Sequence, residues 1–203
     1  MVSKAIEGRV ILGFPETMEF SWVEKRQKQL DQFLCTVERS AFRIAEIATK
    51  NVDDALDIVQ DSMIKLVEKY ADKPADEWRP LFYSILRSRI TDYHRKKTVL
   101  NRIFSWVSSD DEDHVEAETE ATFHDPLELL TEQLTLEILM AALRALPPRQ
   151  QEAFLLRIWQ GFSVKETGKI MNCAEGSVKT HLFRASEALR LAVGLDLRSK
   201  KNA

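Results

Sequence analysis

Lys179, Thr180, His181, Phe183 and Arg184 fall within a few residues of one another near the C-terminal end of the chain, just after Ser177. These side chains suit the reading of nucleic acid. A threonine hydroxyl bonds a base edge, an arginine grips guanine, and a phenylalanine meets a thymine methyl. A second group joins Arg87, Arg89, His94, Arg95, Lys96 and Lys97 to Trp78, Tyr83 and Tyr93. Cations interleaved with rings suit single-stranded nucleic acid, because bases stack on the rings while the cations track phosphates. A third group, Asp54, Asp57, Gln60 and Asp61, is purely polar. Acids early in a helix favour its dipole, which accounts for Asp54 and Asp57. Asp61 lies two turns in and suits a docking surface for a partner. No nucleophile paired with a base and no Gly-rich phosphate loop is present. The four His and two Cys show no metal-ligand spacing. We therefore expect no catalytic residue, no cofactor and no metal.

The elements that must hold the first group are two short helices and a tight turn. Val164, Thr167, Ile170 and Met171 recur at helical spacing. Ser163 followed by Glu166 forms a capping box that sets the helix start. Gly168 costs about 1 kcal/mol against alanine in mid-helix, so another helix is expected to come close to it. Asn172 tolerates the left-handed backbone of a sharp turn. The second helix begins near Glu175 to Ser177 and runs through Arg190, with Val178, Leu182, Ala185 and Leu189 inward. A helix-turn-helix places the N-terminal half of its second helix against base edges in the major groove. Helical hairpins that bind no DNA share this pattern, and the hairpin alone leaves both readings open.

The remaining chain also reads as helical. Leu30, Phe33, Leu34, Val37, Ala41, Ile44 and Ala48 form a stripe in a helix over about Phe20 to Thr49. A second helix, Asp54 to about Tyr70, places Leu56, Val59, Met63, Leu66, Val67 and Tyr70 on one face. A third has Pro80 in its first turn, where no backbone donor is lost, and continues through Lys97. Its buried stripe is Trp78, Leu81, Phe82, Ile85, Leu86 and Ile90, and a further short helix is expected within 98–107. Leu127, Leu130, Leu134, Ile138, Leu139, Ala142 and Leu146 resume helical spacing, Pro147-Pro148 stops it, and Phe154, Leu155, Ile158 and Trp159 line the next helix to Gly161.

Of 203 residues, 44% are hydrophobic and 30% charged, with only six Gly and six Pro, as befits a soluble, mostly helical chain. No apolar run reaches the roughly 18 residues of a membrane span. The start lacks a signal-peptide core, so a cytoplasmic location is expected, and Cys35, on an apolar helical face, implies no disulfide with Cys173. The net charge of −3 conceals an asymmetry. Arg79 to Arg102 carries +6, whereas Ser108 to Glu132 carries −10 with no Lys or Arg. The organisation expected is all-α: an extension over 1–20, a helical domain over 21–107, a flexible acidic linker over 108–125 and a helix-turn-helix domain over 126–203.

Three strings in this order, DALDIVQDSMIKLVEKY (54–70), WRPLFYSILRSRITDYHRKK (78–97) and LPPRQQEAFLLRIWQGFSVKETGKIMNCAEGSVKTHLFRASEAL (146–189), resemble a bacterial sigma factor. The likeness is to the extracytoplasmic-function (ECF) group of the sigma-70 family, which keeps only conserved regions two and four. It implies a protein that gives core RNA polymerase its promoter specificity and is not itself an enzyme. By this resemblance Asp57, Gln60 and Asp61 dock on the polymerase clamp. Tyr83, Arg87, Ser88, Arg89, Asp92, Tyr93, Arg95 and Lys96 bind and melt the minus-10 element. Lys179, Thr180, Phe183 and Arg184, with Ser177 and His181 beside them, read the minus-35 element. The partners implied are core RNA polymerase, promoter DNA and an anti-sigma factor. The chain departs from the family pattern at Ser88, where Asn is common, at Asn172, where Gly is common, and at Ala174, where Ser or Thr caps. Two other classes share parts of the pattern: a helix-turn-helix regulator with a helical sensor domain, and a helical adaptor that binds no DNA. In the free protein the acidic segment is expected to lie against the basic surface of either domain.

Overall fold

The computed structural model describes residues 16–104 and 126–194, with side chains over 24–99 and 136–194. The acidic linker expected over 108–125 lies outside the described residues, as do most of the N-terminal extension and the tail after 194. All described regular structure is helical: α1 (Glu16–Thr49), α2 (Val52–Tyr70), α3 (Ala75–Phe104), α4 (Pro126–Ala145), α5 (Pro148–Phe154) continued by a π-helical turn (Leu155–Trp159), α6 (Val164–Met171) and α7 (Glu175–Ala192). No described helix is long and apolar enough to cross a membrane.

The chain divides into two compact units at Val37/Glu38, inside α1. In the first unit Leu30 and Val37 are the buried described residues, and Cys35 is exposed, off the apolar face expected for it. The second unit begins with the rest of α1, whose Ala41, Ile44, Ala45 and Ile47 are buried. Asn51 caps α2 by accepting from the Asp54 amide at 2.9 Å, which satisfies one of the orphan donors at the helix start. The core face of α2 is rotated from the expected one. Ala55, Ile58, Val59, Ser62 and Leu66 are buried, while Leu56, Ile64 and Val67 are exposed. Apolar residues surround most of this helix, so periodicity alone cannot choose the inward stripe.

α3 packs along α2. Trp78, Phe82, Tyr83, Ile85 and Leu86 are buried, and the Trp78 indole donates to the Tyr70 carbonyl at 3.1 Å. The helix does not stop near Lys97 but continues to Phe104. No Gly or Pro interrupts it, and the Thr98 hydroxyl returns to the His94 carbonyl.

The C-terminal helices pack around α7, against which α4, α5 and α6 all rest. Leu146, just past α4, is buried as expected, but within the helix Leu143 is buried and Ile138 exposed, which departs from the expected stripe. Between α5 and α6 the π-helical turn changes the register. A π turn takes up one extra residue, which carries Leu155 and Leu156 inward and leaves Ile158 and Trp159 exposed. Gly161 follows at φ 70 and reverses the chain.

Candidate nucleic-acid interface

The helix-turn-helix is built as its residues require. Glu166 Oε2 accepts from the Ser163 amide at 2.8 Å, and Ser163 Oγ accepts from the Glu166 amide at 3.2 Å, closing the capping box. These bonds hold the Glu166 carboxyl below the usual carboxylate range. Asn172 adopts the left-handed conformation, φ 49 and ψ 56. Gly168 is required chiefly by the turn rather than by another helix. A Cβ there would lie 3.0 Å from the Cys173 carbonyl oxygen, and Val178 of α7 stands further off at 3.8 Å. The Cys173 amide donates to the Gly168 carbonyl at 3.0 Å, which closes the turn. Val178, Ala185 and Leu189 anchor α7 inward. Ala174 at its N-cap offers no side-chain bond, so the recognition helix begins uncapped.

On the outer face of α7, Lys179, Thr180, Phe183 and Arg184 are exposed, Phe183 by 66%. Ser177 and His181 are half-buried. The Thr180 hydroxyl is bonded to the Gly176 carbonyl at 3.0 Å. Its lone pairs are left for a donor on a base edge.

The α3 residues divide. Arg95 and Lys96 are exposed, and Arg95 lies 3.6 Å from Asp92 one turn back. Ser88, Asp92 and Tyr93 are half-buried. Arg89 stands 3.9 Å from Asp61 of α2. Tyr93 donates to Asp54 Oδ2 at 2.9 Å, so Asp54 serves the α2–α3 contact rather than a docking face. Burial first, and then that bond, raise the Tyr93 pKa. Burial, aided by Lys97, lowers that of His94.

Tyr83 lies inside, contrary to its expected place among exposed rings, and is only 2% exposed. Its hydroxyl donates to Gln160 Oε1 at 2.6 Å. Ser40 Oγ is 2.8 Å away, and with the phenolic proton already given it is Ser40 that donates. Burial raises the Tyr83 pKa. Phe162, itself buried, packs edge-on to the ring with centroids 5.3 Å apart. Arg79 donates to the Gln160 carbonyl and lies 4.2 Å from the Phe162 centroid. Arg87 pairs with Glu152 of α5 at 2.6 Å. Burial pushes the Glu152 carboxyl up, against the pull of Arg87 and Arg149. Sequence reasoning missed Arg79, Glu152, Gln160 and Phe162. The i, i+4, i+8 spacing of Arg79, Tyr83 and Arg87 places them on one face, but no local signal names what covers it.

Asp57, Gln60 and Asp61 are exposed on α2, as expected. Beside them run the exposed Leu56 and Ile64, at 44% and 56%, and Val67. The candidate docking face is thus an apolar stripe flanked by carboxylates. Among the described residues no cluster of three His, Cys, Asp or Glu stands ready for a metal ion.

These features define a helical protein whose helix-turn-helix presents Lys179, Thr180, Phe183 and Arg184 outward and whose α3 exposes Arg95 and Lys96. Residues 136–189 match the family model "Sigma-70, region 4". The chain is 31% identical over 179 residues to the ECF RNA polymerase sigma-E factor of Salmonella typhimurium, covering 82% of this chain and 90% of that one. It is 27% identical over 155 residues to the RNA polymerase sigma factor SigV of Bacillus subtilis, covering 74% and 82%. Among solved structures it is similar to the sigma factor RpoE of Bartonella quintana, crystallised with the anti-sigma factor NepR. That match has a TM-score of 0.67 at 24% identity, covering 83% of this chain and 99% of that one. The chain belongs to the ECF group of sigma-70 RNA polymerase sigma factors, a family of non-catalytic initiation factors.

Proposed function

We propose that this sigma factor divides its work among three surfaces. It binds core RNA polymerase and directs promoter recognition and transcription initiation. In our reading, residues 21–107 form region two and 126–203 form region four, joined through 108–125. Asp57, Gln60 and Asp61, with the apolar stripe beside them, dock on the polymerase. Tyr83, Arg87, Ser88, Arg89, Asp92, Tyr93, Arg95 and Lys96 of α3 take the minus-10 element. Ser177, Lys179, Thr180, His181, Phe183 and Arg184 of α7 take the minus-35 element. Like the RpoE relative crystallised with the anti-sigma factor NepR, the chain has an anti-sigma factor as a partner. We place it in the cytoplasm with the polymerase.

The observation that carries this reading is the outer face of α7. A capped helix-turn-helix presents Lys179, Thr180, Phe183 and Arg184 outward, and neither Lys179 nor Arg184 is committed to an ion pair among the described residues. A bidentate arginine–guanine pair discriminates by about 1–3 kcal/mol. The test is in vitro transcription with purified core polymerase on a promoter library. Selected promoters should share two elements, and Arg184→Ala should weaken the upstream one alone by about 1–3 kcal/mol. An unchanged preference at that element would remove the assignment of α7.

A further inference from the structure

We propose that the segment Gln160–Phe162, together with Glu152, is an intramolecular latch that occupies the α3 face needed for promoter DNA, so that latch and minus-10 strand compete for the same side chains. This rests on the assignment of α3 to the minus-10 element. Three contacts step along one face of α3. Arg79 holds the Gln160 carbonyl and covers Phe162. Tyr83 donates to the Gln160 side chain and packs edge-on to Phe162. Arg87 is paired with Glu152.

Two of these three α3 residues, Tyr83 and Arg87, belong to the proposed minus-10 set. In this arrangement neither is available. A base cannot stack on a ring that is 2% exposed. A phosphate would have to displace a carboxylate 2.6 Å from the Arg87 guanidinium. The latch residues are also shaped for this contact by local structure. The π-helical turn ends at Trp159, and Gly161 at φ 70 reverses the chain. Gln160 and Phe162 therefore stand on either side of a bend whose backbone only glycine adopts freely. The Phe162 amide is tied back to the Leu156 carbonyl at 3.1 Å, which fixes the bend. The latch is thus a rigid projection of the helix-turn-helix region, and α3 is its receptor.

If the closed form dominates, the apparent affinity of α3 for a single strand is reduced by the fraction of molecules that are open. The experiment measures binding of the full-length free protein to a fluorescein-labelled single-stranded DNA of random sequence. Glu152→Gln with Gln160→Ala removes the ion pair to Arg87 and the acceptor for Tyr83 while leaving every α3 side chain in place, so that only the Arg79 bond to the Gln160 backbone carbonyl and the Phe162 packing still hold the latch. Binding should tighten by about tenfold or more, with an increased radius of gyration in X-ray scattering. Unchanged affinity in a folded double variant overturns the latch. Arg95→Ala with Lys96→Ala, on exposed α3 positions, separates the premises. If it weakens binding while the latch variant changes nothing, α3 binds DNA and the latch alone fails. If it has no effect, the minus-10 assignment fails and the latch loses its function with it. Should the double variant not fold, a second route is Arg79→Cys with Gln160→Cys in a Cys35→Ser, Cys173→Ser background, joined by a reducible bis-maleimide spacer that covers the reach of the arginine side chain it replaces. The cross-link should abolish open-complex formation with core polymerase, and reductant should restore it. Open complexes formed by the cross-linked protein would overturn the proposal.

Discussion

Tyr83 shows how a single side chain can carry structure and function at once. Its ring fills a fully buried site between Phe82 and Phe162, with T-shaped contacts to both. Its hydroxyl joins Ser40 to Gln160. Truncating a buried aromatic to alanine costs about 3–5 kcal/mol, so Tyr83→Ala would confuse a melting defect with a folding defect. Tyr83→Phe keeps the ring and removes only the hydroxyl, at about 1 kcal/mol for the lost bonds. We expect thermal denaturation to show a large loss for the alanine and a small one for the phenylalanine. Comparable losses would mean that the hydroxyl bonds, not the ring, fix this site. Glu166 makes a second residue-scale prediction. Its folded pKa is lowered by its bonds with Ser163, so it contributes stability that is present above the ordinary carboxylate value. That contribution is lost as the pH falls through the folded value. Melting temperature measured from neutral to acid pH should therefore fall more steeply in the parent than in Glu166→Gln. Parallel curves would show that the capping charge adds nothing.

At the scale of elements, the helix-turn-helix was legible because its determinants are local. Ser163 with Glu166, a left-handed Asn172 and a crowded Gly168 all act within a few residues. α2 was less legible, because Leu56, Ile64 and Val67 are as apolar as the residues that face inward, and only packing decides between them. The π-helical turn and the contacts of Arg79, Tyr83 and Arg87 were not legible at all. Those contacts join residues 65 to 83 positions apart in sequence, and no periodicity reports such pairs. Two substitutions test the local reading. Ala174→Ser supplies the missing cap in a backbone already extended at ψ 149, and should stabilise by about 1 kcal/mol. Gly168→Ala gains about 1 kcal/mol of helix propensity, but forces a Cβ to 3.0 Å from the Cys173 backbone carbonyl oxygen. Overpacking of this kind costs about 1–3 kcal/mol, so the melting temperature should fall. If alanine at 168 stabilises the protein, the turn yields more readily than its hydrogen bonds imply.

For the whole molecule, charge placement matters more than the total. The net charge is only −3, and the carboxylates of α2 stand beside an exposed apolar stripe rather than among the basic residues of α7. If this face docks on the polymerase, Asp57→Lys with Asp61→Lys should abolish core binding. The fold should survive, because Asp57 is exposed and Asp61 is 60% exposed with only a 3.9 Å approach to Arg89. Exposed pairs of this kind contribute about 0–1 kcal/mol. The double reversal also moves the net charge from −3 to +1, which favours non-specific attraction to nucleic acid. A DNA-based readout would mix that attraction with the docking defect, so retention on immobilised core polymerase must be measured without DNA. A control with the same charge change, Asp72→Lys with Glu77→Lys, separates position from total charge, since both residues are exposed near the α2–α3 turn. Loss of retention for the α2 pair with retention intact for the control places docking on the Leu56–Val67 stripe. Equal retention of both variants at matched melting temperature would move the polymerase contact off α2 altogether.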